Sequence, residues 1–151
     1  MVNVYTDTSV IGGCFDVEFK EWSQALFKEF ASGAKTLILS ESVIFELEGA
    51  SDNIKGMLTT VHSNNQLILP LTEEVKILAR TYINEGALSN KSYYDALHIA
   101  YATICRADVL ASWNFKHIVN LNKIRLYNAI NERLGYQPIE IRTPREILNT
   151  E

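Results

Sequence analysis

The chain is predicted to be an α/β protein, a three-layer αβα sandwich around a central parallel sheet of about five strands. Two observations carry this. Short runs rich in β-branched residues alternate along the chain with longer runs of helical period, and capping or breaking residues fall between them. Such alternation implies parallel strands with helices on both faces. No linker, repeat or low-complexity segment interrupts it, so residues 1–151 are expected to form one domain.

The elements follow in order. "VNVYT", Val2 to Thr6, alternates and is rich in β-formers. Asp7-Thr8-Ser9 offers three helix N-cap residues in succession, and Gly12-Gly13 is expected to break the pattern. In "EFKEWSQALFKEFASG", Phe19, Trp22, Leu26, Phe27 and Phe30 lie near helical spacing, with Gly33 as the stop. "KTLILS" is the second strand. A short helix opens after Ser40 and runs through Glu48 to Gly49, and "SDNIKGMLTTVHSN" is expected to be helical. "QLILP" is the third strand, closed by Pro70, and Thr72 starts a helix to about Glu85. "SNKSYYDALHIAYATICRA" is the strongest helix, with a stripe of Tyr94, Leu97, Ala100, Tyr101 and Ile104. "DVLAS" is the fourth strand. "FKHIVNLNKIRLYNAINERLG" is helical in part, "QPIEIRT" is the last strand, and Thr143-Pro144 opens a terminal helix.

Composition excludes several classes. No apolar run approaches the ~20 residues that cross a bilayer, and the N-terminus shows no signal-peptide pattern. The expected location is the cytoplasm, with no membrane partner and with Cys14 and Cys105 as free thiols. Net charge is -4, which alone argues weakly against a nucleic-acid partner. Its distribution is uneven. Residues 1–111 carry 8 Lys/Arg against 14 Asp/Glu, and residues 112–151 carry 6 against 4. A phosphate loop, a dinucleotide fingerprint, a nucleophile elbow and a zinc HExxH pattern are all missing.

In parallel sheets, ligands bind at the carboxyl ends of the strands, near a switch in strand order. Asp7 ends the first strand there. Glu46, in "SVIFELEG", follows the second strand and sits beside its helix's apolar stripe. Asp95 opens the strongest helix, and Ser112 and Asn114 follow the fourth strand. Converging carboxylates repel one another and raise each other's pKa. A hard divalent cation with oxygen ligands, Mg²⁺ or Mn²⁺, compensates this most simply. Such a cation suits hydrolysis of a nucleic-acid phosphodiester. Each acid also has a structural explanation. Asp7 caps a helix, Glu46 lies on an amphipathic surface, and Asp95 complements a helix dipole. His98, one turn after Asp95, either orients it or a water, or is simply a satisfied helix residue.

Taken together, "VYTDTSVIGG", "SESVIFELEGA", "SYYDALHIAYA" and "DVLASWNFKHIVN" resemble the PIN domain of VapC-type toxin ribonucleases over nearly the whole chain. The resemblance implies a PIN-like αβα sandwich and an Mg²⁺- or Mn²⁺-dependent endoribonuclease. Its three acids fall on Asp7, Glu46 and Asp95, and its supporting Ser/Thr on Ser112. The family's common fourth acid is Asn114 here, an amide that can order metal-bound water but brings no charge. RNA is the implied substrate, with Lys116, His117 or later arginines on its backbone. A small antitoxin is an implied partner and a homodimer an implied assembly, with tyrosines and phenylalanines of the early helices as its apolar face. Asn114 and the acidic charge motivate a contrasting reading, a non-catalytic PIN module that binds RNA or a protein. In a third, the acids are only caps and do not converge.

Overall fold

The computed structural model describes residues 1–148. Five strands form one parallel sheet: β1 (Val2–Thr6), β2 (Lys35–Ser40), β3 (Gln66–Leu69), β4 (Val109–Ala111) and β5 (Ile141–Arg142). Their spatial order is β3-β2-β1-β4-β5. The chain winds outward from β1 to one edge, then returns to pair β4 against β1's other side. The switch point therefore lies between β1 and β4, where Val4, Tyr5 and Thr6 pair with Val109, Leu110 and Ala111.

Strand periodicity divides the core. Val4, Leu37, Leu39, Val109 and Ala111 join one buried cluster, and Tyr5, Ile38, Leu110 and Ile141 join the other. The first face is covered by α1 (Thr8–Gly13), α2 (Lys20–Ser32) and α8 (Pro144–Leu148). These contribute Val10, Ile11, Leu26, Phe27, Phe30 and Ile147. The second is covered by α5 (Glu73–Asn84), α6 (Tyr93–Ile104) and α7 (Leu121–Arg133). These contribute Leu78, Tyr82, Leu97, Tyr101, Tyr127 and Ile130. The three-layer sandwich expected from the sequence is thus present, with five parallel strands.

Boundaries differ where tertiary contacts decide them. The helix after β2 is short, α3 (Glu41–Glu46), capped by the Ser40 side chain on Val43 N–H. Its expected continuation to Glu48 is instead a set of turns. Within it, Ile44 and Phe45 are exposed, so only part of the expected apolar stripe is buried. The helix expected over 51–64 is α4 (Asp52–Thr59) plus a 3₁₀ turn at Ser63–Asn65. The last strand contracts to Ile141–Arg142. Thr143 and Glu146 then close a reciprocal capping box at α8: Glu146 N–H donates to Thr143 Oγ1, and Thr143 N–H to Glu146 Oε1.

Gly12-Gly13 was expected to interrupt structure, yet both glycines lie inside α1. The reason for Gly13 is close approach. A Cβ there would meet Ser23 Oγ at 2.6 Å and the Trp113 indole at 2.8 Å, whereas one on Gly12 would meet nothing within 4 Å. Trp113 is buried by this approach. Its ring stacks on Phe19 at 4.3 Å and its Nε1–H donates to Ser23 Oγ at 2.8 Å. Accordingly, Gly13→Ala should lower stability by ~1–3 kcal/mol through overpacking. Gly12→Ala should be neutral or stabilising by up to about 1 kcal/mol through helix propensity. Paired urea melts measure both; equal effects would refute the close-approach account.

Candidate metal centre and active site

Asp7 begins immediately beyond β1, and its N–H donates to Ala111 O at 3.3 Å, across the switch point. Its side chain is buried. Oδ1 accepts from Val10 N–H at 3.3 Å and from Ser9 Oγ at 2.6 Å, and Oδ2 accepts from Ser112 Oγ at 2.6 Å. Asp7 is therefore both the N-cap of α1 and the carboxylate at the crevice; the two sequence readings coincide. Burial pushes its carboxyl above the usual range, and nearby His98 with the three donors only partly opposes this.

Glu46 is the last residue of α3. Its Oε1 accepts from Thr8 Oγ1 at 2.8 Å and meets His98 Nε2 at 2.7 Å. Half-burial pushes this carboxyl up, but the His98 bond and charge with the Thr8 hydroxyl outweigh it, and it lies below the usual range. His98 is thus a satisfied helix residue whose hydrogen bond goes to Glu46 rather than to Asp95. It is buried on α6, with Nδ1 against Tyr5 Oη at 2.8 Å. Tyr5 Oη in turn meets Ser40 Oγ at 2.8 Å.

Asp95 lies in the first turn of α6. Burial pushes its carboxyl up; His98 and His117 pull it down, and the charges of Asp7 and Glu46 push it up again. This mutual repulsion is the electrostatic sign that the three acids share one neighbourhood. Beyond β4, Ser112 Oγ accepts from Asn114 N–H at 2.9 Å. Asn114 Oδ1 accepts from Lys116 N–H at 3.2 Å and His117 N–H at 3.0 Å. Two backbone donors can face only the amide oxygen, so Nδ2 is the atom turned to Asp95 Oδ1, at 3.2 Å.

Hydrogen bonds run in a path from Asp7 through Ser112 and Asn114 to Asp95, and Glu46 joins it only through the Thr8 hydroxyl and the peptide bond between Thr8 and Asp7. The path does not make a cage: among the described residues, no group of three or more His, Cys, Asp or Glu side chains is placed to hold one metal ion. The donor chemistry nonetheless suits a hard cation. Among the described residues, no Lys or Arg forms a salt bridge to Asp7, Glu46 or Asp95. Both Asp7 oxygens are occupied, while the hydrogen bonds to Glu46 and Asp95 fall on one oxygen each, Oε1 and Oδ1. An ion held by one or two carboxylates, with waters completing its shell, fits such a set.

The basic residues of the C-terminal part are mostly engaged elsewhere. Arg133 pairs with Glu85, Arg142 with Glu140 and Glu146, and Lys123 Nζ donates to Ala87 O. Lys116 is exposed beside the site. Of the early-helix aromatics, Phe27 and Phe30 are in the core, while Phe15 and Phe45 are exposed. Phe115, two residues after the buried Trp113, is 52% exposed. Cys14 is buried and its thiol is pushed up to about 11, so both free cysteines read as inert.

No family model matches the chain, and no curated protein matches it. Solved structures do. The toxin VapC20 of Mycobacterium tuberculosis, described as cleaving the sarcin-ricin loop, aligns with TM-score 0.57 at 13% identity, covering 76% of this chain and 92% of that one. VapBC2 of Rickettsia felis, bound to a promoter DNA fragment, aligns with TM-score 0.58 at 14% identity, covering 94% and 98%. FitAcB of Neisseria gonorrhoeae aligns with TM-score 0.57 at 16% identity, again covering 94% and 98%. At such identities the likeness is one of fold, and the fold is PIN-like.

The raised Asp7 carboxyl makes a signed prediction. Its folded-state pKa exceeds its unfolded value, so its stabilising contribution is complete below the ordinary carboxylate range and is lost as pH rises through the folded value. Stability of the wild type relative to Asp7→Asn, followed by melts in chelator, should therefore be greatest in acid and decline toward neutral pH. A relative gain on raising the pH would show that its hydrogen bonds outweigh its burial.

Proposed function

We propose that this protein is a divalent-metal-dependent endoribonuclease, with Asp7, Glu46 and Asp95 as the carboxylates that hold Mg²⁺ or Mn²⁺. The observation that carries this is the hydrogen-bonded path from Asp7 to Asp95, with Glu46 bonded to Thr8 beside Asp7 and no Lys or Arg salt-bridged to the three acids among the described residues. A bound cation would supply an activated water and stabilise charge on a phosphodiester. The chain's own part is to place the oxygens. Ser112 fixes Asp7 and orders the turn that carries Asn114. Asn114 holds Asp95 by donating from its side-chain Nδ2 to Oδ1 and makes no bond to Oδ2. Lys116, exposed on the same loop, is placed to meet an RNA phosphate.

Residues 1–151 would act as one domain. The likeness to VapC20, VapBC2 and FitAcB supports the toxin half of a toxin–antitoxin pair, with a small antitoxin as partner and a homodimer as assembly. A groove of about 620 Å³, lined in part by Phe45, Ile68, Leu71 and Tyr94, offers an apolar surface for such contacts.

One observation favours a second reading, a PIN-like module of weak or no activity that binds RNA or a protein. The Asn114 amide oxygen is spent on backbone N–H groups, and its amino group faces Asp95 where the family pattern carries an acid.

An RNA cleavage assay with and without Mg²⁺ separates the two. The first reading expects metal-dependent cleavage that falls to background in Asp7→Asn and in Asp95→Asn while both variants remain folded. Asn114→Asp keeps acceptors for Lys116 and His117 N–H and adds a charge near Asp95. It should tighten metal half-saturation about five- to tenfold, the effect of roughly 1 kcal/mol from one charge a few ångströms away in a hydrated site. Cleavage absent in the wild type but gained in Asn114→Asp would favour the second.

A further inference from the structure

The metal-nuclease reading needs Glu46 held still with one oxygen free, and α3 alone does not hold it, because Glu46 is the helix's last residue. The hold comes from elsewhere in the fold. A buried chain of side chains crosses from the end of β2 to the end of α3. Val43 N–H donates to Ser40 Oγ at 3.2 Å. Ser40 Oγ meets Tyr5 Oη at 2.8 Å, Tyr5 Oη meets His98 Nδ1 at 2.8 Å, and His98 Nε2 meets Glu46 Oε1 at 2.7 Å. Ser40, Tyr5 and His98 are all buried.

The chain has a direction. Ionised Glu46 can only accept, so Nε2 carries a ring proton. In the singly protonated ring, Nδ1 is then an acceptor for the Tyr5 hydroxyl hydrogen. Tyr5 oxygen accepts from Ser40, whose own oxygen accepts from Val43 N–H. Every polar atom in the series is used, and none is among the buried orphans, which are Thr6 Oγ1, Glu29 Oε2 and His117 Nδ1 among the described residues. Packing fixes the ring as well: Tyr5 lies 5.8 Å from the His98 ring and stacks on Tyr101 at 5.9 Å.

We infer that Tyr5 and His98 are positioning residues for Glu46: Tyr5 fixes His98 as its Nε2–H tautomer, and that N–H pins Glu46 Oε1, leaving Oε2 to face a cation. This rests on the metal-nuclease reading for its purpose but not for its geometry. Both residues are buried and act through Glu46. Partners of this kind, acting through a ligand, change metal affinity by ~10–100-fold when removed.

The test has two arms. Long-range ¹H–¹⁵N spectra of the metal-free wild type read the tautomer directly: a protonated Nε2 with an unprotonated Nδ1 supports the inference, and a proton on Nδ1 alone or on both nitrogens overturns it. Mn²⁺ calorimetry then compares variants of matched thermal stability. His98→Ala should weaken binding ~10–100-fold, and His98→Gln, which keeps an N–H in reach of Glu46, should restore most of it. Tyr5→Phe, which removes one hydroxyl, should weaken it in the same direction. Equal loss in His98→Ala and His98→Gln, or no loss in His98→Ala and Tyr5→Phe, overturns the inference. A wild type with the Nε2–H ring that takes up no Mn²⁺ supports the hold on Glu46 and overturns the metal-nuclease reading instead.

Discussion

A carboxylate buried at the end of the central strand constrains everything around it. Asp7 follows β1, the strand paired on both sides, and no Lys or Arg forms a salt bridge with it among the described residues. Burying a charge without a counter-ion is costly unless donors surround it. The fold supplies them from two elements: Ser9 and Val10 N–H from α1, and Ser112 from the turn after β4. That last bond spans 105 residues. It places the Ser112–Asn114 turn over the switch point, so the means of satisfying one buried group also delivers the next residues of the site.

Much of the fold was legible because its signals are local. Val4 and Tyr5, or Leu37, Ile38 and Leu39, read as strands by composition, and their alternation assigns them to opposite faces. The stop at Gly33, with its φ of +83°, is written in residue type. What was not legible depended on distant partners. Gly12-Gly13 looks like a break; only the Trp113 indole shows why a helix must have a glycine there. Phe115 is exposed although Trp113, two residues before it, is buried, because β4 ends at Ala111 and strand alternation ends with it.

The site divides in the same way. Asp7, Asp95, Ser112 and Asn114 could be nominated because each stands at a strand end or helix start, and Glu46 because it sits beside the apolar stripe of the helix after β2; hydrogen bonds join the first four, and Glu46 is bonded to Thr8 beside Asp7. How they are linked was hidden. The sequence places His98 one turn from Asp95, yet its bond is to Glu46, 52 residues away. Tyr5 reads as an ordinary inward strand residue; its role as the far end of that arrangement needs the register of β1 and β2 and the position of α6. For Asn114, the sequence shows the missing charge. Only the competing N–H groups of Lys116 and His117 show that its oxygen is turned away from the acids.

The account stands on one claim: that the linked carboxylates at the β1–β4 switch point form an electronegative site that takes a divalent cation. Paramagnetic broadening of backbone amides by substoichiometric Mn²⁺ tests it most directly, without a substrate and without assuming activity. The account predicts broadening centred on residues 7–9, 46, 95–98 and 112–115, reversed by excess Mg²⁺. Broadening spread over exposed acids such as Glu73, Glu85 and Glu140, with the switch-point amides unaffected, would contradict it.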